Sequence, residues 1–230
     1  MKEPILFLMA LFQKVGLGEF AEHYPQVVYS WLVMLILILG TLLVRGKINP
    51  FNPSRLQSFF ETLIEGIENF MVDVMGEEGR FAFPIIATLF LYIFLCNILG
   101  LMPGMYSPTA NINTTLSCAL VSFVMTHVIG LKFHGVKYIK HFTGPIPWLI
   151  PLFFPIEVIG HCARVLSLTF RLFGNIMAED LVLAILMFLA GAYLAPLPMM
   201  FLFIFADFVQ AFIFTLLTMM YFAGAIEEAH

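Results

Sequence analysis

"LSLTFRLFGNIMAEDL", residues 166 to 181, lies inside one of the most apolar parts of the chain, yet it holds an arginine, an asparagine and two adjacent acids. Its reading decides the fold, because everything around it belongs in oil. Of the 230 residues, 61% are hydrophobic and only 11% are charged, whereas a soluble domain carries about a quarter charged residues. Uncharged runs extend from Val27 to Val44, Phe81 to Tyr106, Ile112 to Leu131, Leu181 to Ala206 and Phe208 to Ile226. Each is near or above the roughly 18 apolar residues that a spanning helix requires. Lipid offers the backbone no hydrogen-bond partners, so such runs must be helical. The fold class expected is an all-α polytopic membrane protein with about five membrane-embedded helices and one amphipathic interfacial helix, the last two embedded helices forming a long, tilted hairpin. Residues 1-230 form a single membrane domain: a first span at 26-45, an amphipathic helix at 54-76, further spans at 81-103 and 112-132, a long polar-striped helix at 155-193 and a last helix at 198-226.

Positive charge sets the expected orientation. Arg45, Lys47 and Arg55 follow the first span and Lys132, Lys137 and Lys140 follow the third, whereas 104-112 and 191-199 hold no Lys or Arg. By the positive-inside rule the two basic connections are cytoplasmic, which puts the N-terminus outside and "EEAH" in the cytoplasm. The opening "ILFLMALF" lacks a small-residue cleavage site after it, so retention of the N-terminus is expected. Cys96, Cys118 and Cys162 stand singly in apolar segments, without the paired spacing of a metal site or disulfide framework, and read as small buried hydrophobes. No cofactor or metal is expected, and no internal repeat stands out.

Residues 54 to 75 differ in kind. Leu56, Phe60, Leu63, Ile67, Phe70 and Val74 recur at helical spacing, with Arg55, Glu61, Glu65, Glu68 and Asp73 between them. Ser54 and Gln57 have the spacing of a capping box. Surface-seeking helices are usually rich in Lys and Arg on the polar side, so the acidic face here suggests docking on another protein.

The region after Pro145, Pro147, Pro151 and Pro155 carries the chemistry. A helix starting near Pro155 places Glu157, His161, Arg164, Ser167, Arg171, Asn175 and Glu179 within one stripe, because spacings of three and four return to the same side at about 100° per residue. Asp180 points to the opposite side. Stripes of hydroxyls and amides often serve only to join helices, which is the plain reading for His161, Ser167, Thr169 and Thr215. Arg171 is different: even a mild scale charges about 3 kcal/mol for an arginine at mid-membrane, and such cations mark charge movement or a counter-ion. Arg164, nearer a membrane surface, can snorkel. The last span supplies Asp207, Gln210, Phe214 and Thr218 along one side, and a hairpin with the preceding helix brings Asp180 and Asp207 to the same end. That arrangement suits a cation path or a hydrogen-bonded clasp between helices.

On these residues the chain resembles subunit a of the F-type (rotary) ATP synthase membrane sector. "SLTFRLFGN" is similar to that family's arginine signature, "NILGLMP" at 97 to 103 to its second-helix motif, "PTANINTT" at 108 to 115 to its outer loop and "QAFIFTLLTMMY" at 210 to 221 to its final helix. The resemblance implies that Arg171 faces a ring of rotor c subunits, with Ser167, Asn175 and Gln210 close to it, and that Glu157 and Asp180 belong to aqueous half-channels. Glu179 and Asp207 complete the expected proton path, with His161 and Arg164 as minor members. Two positions depart from the family pattern: Phe203 stands where some members have His or Glu, and Asn111 where Asp is common. Asp207, one turn beyond Phe203 on a similar face, is the expected stand-in.

The function implied is a proton-channel stator subunit, working with the c-subunit rotor ring, peripheral-stalk b subunits, the rest of the synthase and membrane lipid in a bacterial plasma (inner) membrane. No nucleotide motif of the G-x-x-x-x-G-K-[ST] kind is present, so ATP is expected to bind elsewhere in the complex, and no nucleic-acid partner is expected. Two other readings compete: a secondary transporter binding an anionic solute at Arg171, which predicts inverted repeats, and a purely structural assembly subunit.

Overall fold

The computed structural model describes residues 18–45, 54–102, 104–135, 138, 150–190 and 196–227. The expectation of a retained N-terminus, Lys47, Lys137 and Lys140, and the loop 191-195 lie outside the described residues. The described elements are α1 (Gly18–His23), α2 (Pro25–Arg45), α3 (Arg55–Met75), a 3-10 turn (Glu77–Ala82), α4 (Phe83–Leu101), a second 3-10 turn (Pro108–Ala110), α5 (Ile112–His134), α6 (Ile150–Ala190) and α7 (Pro196–Glu227). Among the described residues five helical stretches are long and apolar enough to cross a membrane: Pro25–Leu43, Glu77–Leu101, Ile112–His134, Pro155–Leu189 and Pro196–Glu227.

The core lies where α4, α5, α6 and α7 meet. Leu89, Phe90 and Ile93 of α4, Cys118 and Ala119 of α5, Leu168, Leu172 and Ile176 of α6, and Ala211 and Phe214 of α7 form one buried cluster. The α6 members recur every four residues, the row that lets one helix pack into the groove of another. α2 stands at the periphery: Val28, Tyr29, Ser30 and Val33 are buried, while Leu35, Ile38, Leu42 and Leu43 are exposed. A helix whose outward side is this apolar is solvated by lipid.

α3 is amphipathic, as its spacing predicts. Ser54 caps it by accepting from the Gln57 N–H at 3.2 Å, and the Gln57 side chain donates to Glu61 at 2.8 Å. It ends at Gly76, whose φ of 72° is open to glycine at little cost and whose N–H returns to the Val72 carbonyl. Met71 and Met75 of α3 pack with Ile86 of α4, Ile129 of α5 and Met219, Phe222 and Ala225 of α7. At this end of the bundle His134 Nε2 reaches the Ala225 and Ile226 carbonyls at 3.1 and 3.0 Å. These are among the carbonyls that the end of α7 leaves without helical donors.

Two expectations need correction. The long helix begins at Ile150, not near Pro155, and Pro155 lies inside it. Pro155 is its sixth residue, beyond the four N–H groups that lack internal partners, so it removes one ladder bond, to the Pro151 carbonyl, and the helix runs on through it. Cys96 and Cys118 are buried, but Cys162 is exposed, on the part of α6 turned away from its neighbours.

Candidate ion-translocation site

α6 sorts its polar residues by face. Arg164, Ser167 and Arg171 are exposed, Glu157 and Asn175 are half-buried, and His161 and Glu179 are buried. The stripe expected as one surface is therefore split along its length. Its edge beside Leu168, Leu172 and Ile176 turns into the bundle, and the other edge, with both arginines, faces outward. Among the described residues the Arg171 side chain has no ion pair or hydrogen bond. Thr169 and Thr215 each donate to a carbonyl four residues back in their own helix, both at 2.8 Å, so these bonds join no two helices.

The buried edge meets α7 in an acidic pair. Asn175 Nδ2 donates to Glu179 Oε1 at 2.6 Å, orienting that carboxyl towards α7. Asp207 is 0% exposed and lies within electrostatic reach of Glu179 and Asp180. Neither Asp207 oxygen meets hydrogen-bond geometry with a partner, and Gln210 Nε2 is likewise buried and unpartnered. Phe203 is buried one turn earlier, with Leu101 and Leu183. Asp207 thus shares the inward face of Phe203.

Further polar groups extend the site towards α4. Thr109 donates to Asn97 Oδ1 at 2.7 Å, Ser107 Oγ lies 2.8 Å from Thr109 Oγ1 and donates to the Cys96 carbonyl at 3.0 Å. Asn97 Nδ2 stays buried without a partner. Asn111 caps α5, accepting from the Asn113 N–H at 2.9 Å. Its place at a helix start explains an amide there, since Asn caps as well as Asp. In the loop between α4 and α5, the Tyr106 phenol is pushed above its ordinary value by burial first and by the Asp180 carboxylate second, against a smaller pull down from a hydrogen bond with Asn111. Asp180 itself is exposed, on the side opposite Arg171 as its spacing predicts.

At the other end, His161 Nε2 sits 3.2 Å from Glu157 Oε1, and the Arg164 guanidinium lies 5.4 Å from the Tyr221 ring centroid. The structure thus brings together Asn175, Glu179 and Asp207, with Asp180 in electrostatic reach and the buried Gln210 three residues further along α7. It leaves Arg171 and Ser167 on the outside, and Glu157, His161 and Arg164 nearer the Lys132 end. Asn97 and Thr109 lie in quoted motifs, but their pairing is not encoded in any local spacing. The amide inside an otherwise apolar run was the signal available for Asn97. Among the described residues no group of three or more His, Cys, Asp or Glu is placed to hold a metal ion.

The family described as ATP synthase A chain matches residues 27–223. The chain belongs to this family. It is 60% identical over 242 residues to the ATP synthase subunit a of Syntrophobacter fumaroxidans, with the whole of both chains covered. It is 57% identical over 231 residues to that of Desulfosudis oleivorans and 48% identical over 233 residues to that of Geotalea daltonii, again over the full length of each. The five long apolar helices make this member of the ATP synthase A chain family a multi-pass membrane protein.

Proposed function

We propose that this chain is the proton-channel stator of a rotary ATP synthase, in which Arg171 controls the protonation of carboxylates on a passing rotor ring. The observation that carries the reading is the position of Arg171: an exposed cation near the middle of the 35-residue apolar stretch Pro155–Leu189, without a partner among the described residues. A bare guanidinium facing hydrocarbon is costly. Its counter-charge must come from another chain, and the c-subunit ring supplies one.

The chemistry follows from solvation. A rotor carboxylate travels through lipid only when neutral, because an ionised acid in hydrocarbon is strongly disfavoured. Beside Arg171 the ionised form gains, by about 1 to 3 pK units for an opposite charge in reach. Each arriving rotor acid therefore releases its proton on one side of Arg171 and reloads on the other. The Asp207–Glu179–Asn175–Gln210 cluster, with Asp180, forms the half-channel at one end, and Glu157 belongs to the other. The fixed charge between them blocks a direct leak. Each charge crossing 100 mV releases about 2.3 kcal/mol, so several crossings drive one synthesis event in the catalytic sector. The chain performs no covalent chemistry itself. Its partners are the c ring, peripheral-stalk b subunits and membrane lipid, in a bacterial inner membrane with the Lys132 end cytoplasmic.

A transporter reading would place Arg171 in a cavity that encloses a solute, and here it lies on an outward face. The test is Arg171→Gln in the intact complex, with ATP-driven acidification of inverted vesicles as the readout. Assembly with loss of acidification is expected. Retained acidification overturns the reading.

A further inference from the structure

A second polar cluster lies where α5 meets α6, towards the Lys132 end. The rings of His127 on α5 and His161 on α6 have centroids 4.9 Å apart. His127 Nδ1 is 2.9 Å from Tyr138 Oη, and His161 Nε2 is 3.2 Å from Glu157 Oε1. Four groups able to bind and release a proton thus follow one another, two polar contacts joined by a ring contact between the imidazoles. Phe123 packs edge-on against both imidazoles, with centroids 4.4 and 5.9 Å away.

The series is deliberately seated. The Tyr138 ring lies so close to the α5 backbone that a β-carbon at Gly130 would overlap it, so glycine there lets the phenol reach His127. Beside the series opens a cleft of about 260 Å³, lined by Thr126, Tyr138, His161, Arg164 and Tyr221 among others. At about 30 Å³ per water it has room for several.

The plainer reading is a histidine pair that packs α5 against α6. Packing alone has no use for two ionisable rings placed between a carboxyl, a phenol and a water-sized cleft, inside segments where ionisable groups are rare and usually functional. Imidazole changes charge near neutral pH and carries two distinct nitrogens, which suits it to shuttle protons.

We propose that Glu157, His161, His127 and Tyr138 form a proton relay between water at the Lys132 end and the rotor-facing side of α6. The proposal rests on the stator reading above. A proton bound at one imidazole nitrogen is matched by release from the other, so only N–H and O–H bonds are made and broken and the ring returns to its starting charge. The groups facing the two histidines are Glu157 and Arg164 from α6, Tyr138 beyond the end of α5 and Tyr221 from α7.

The experiment uses the intact complex in inverted vesicles, comparing His161→Leu and His127→Phe with the parent. The initial rate of ATP-driven acidification is read against external pH, with and without added imidazole. Both variants are expected to slow acidification by at least about tenfold, the low end being set below the usual range for a positioned proton-transfer group. Their rates should depend less on external pH than the parent's, and imidazole should restore them. Unchanged rates and pH profiles overturn the proposal. So does a loss that imidazole leaves untouched while the complex melts earlier, which assigns the pair to packing. If His161→Leu fails to assemble, His127→Phe, which keeps an aromatic ring against Phe123, decides the matter. Arg171→Gln runs in parallel: normal pumping there refutes the stator reading, whereas its loss beside normal histidine variants refutes the relay alone.

Discussion

Replacing Asp207 by leucine should move stability and activity in opposite directions. The carboxyl is fully buried, and neither oxygen meets hydrogen-bond geometry although the Glu179 carboxyl is close by. Each unsatisfied buried polar group costs about 1 to 3 kcal/mol, and an aliphatic side chain in its place recovers apolar burial worth about 1.5 to 3 kcal/mol. Leucine is somewhat bulkier, and overpacking subtracts about 1 to 3 kcal/mol. Taken at mid-range these sum to a gain of about 2 kcal/mol, which for a chain of this size raises the melting temperature by about 4 to 8 °C. The assay is thermal loss of the subunit from purified complex in nanodiscs, paired with ATP-driven acidification normalised to complex content. Acidification should fall at least about tenfold, as for loss of a positioned proton-transfer group. A lower melting temperature with normal acidification would refute the reasoning, because it would make Asp207 a clasp between α6 and α7 and not a proton carrier.

Ser122 Oγ donates to Thr218 Oγ1 at 3.0 Å between α5 and α7; a double-mutant cycle of Ser122→Ala and Thr218→Val should give a coupling of about 0.6 kcal/mol, typical of hydroxyl bonds between membrane helices, and a coupling of zero removes the bond from the account. Arg80 bridges Glu68 at 2.8 Å and Glu77 at 3.2 Å, but its side chain is 57% exposed. Solvent and salt screen such pairs, so Arg80→Ala should cost less than about 0.5 kcal/mol, and a loss above about 1 kcal/mol in thermal melting would contradict this. Tyr106, held above its ordinary value of 10.0 by burial, stabilises the fold at lower pH and loses that contribution as pH rises through its folded value. Ultraviolet titration of the chain against Tyr106→Phe should give a difference midpoint above 10, and a midpoint at or below it sinks the assignment.

Helix positions were legible because hydrocarbon leaves the backbone one solution over each long apolar run, and the amphipathic period of 54 to 75 is set by spacing alone. The start of α6 was not, because proline reads as a boundary whereas a helix's first turns tolerate it. Arg171 was legible from its energetic cost, and Asp207 from sharing a face with Phe203. The division of the α6 stripe into a buried and an outward edge depends on where α4, α5 and α7 sit, which no local period encodes. The same holds for the His127–His161 pair, whose members are 34 positions apart in the chain and meet only through the α5–α6 packing.

The 41 residues of α6 extend about 60 Å at 1.5 Å per residue, twice a hydrocarbon layer of about 30 Å. If most of that length stays in the layer, the axis leans about 60° from the normal, and travel along it is chiefly sideways. Glu179 and Arg171, eight positions apart and so about 12 Å along the axis, then differ in depth by only about 6 Å but are offset laterally by about 10 Å. On the stator proposal, separation of the two proton ports is then a matter of azimuth around the ring more than of height, which makes rotation the geometric shortcut between them.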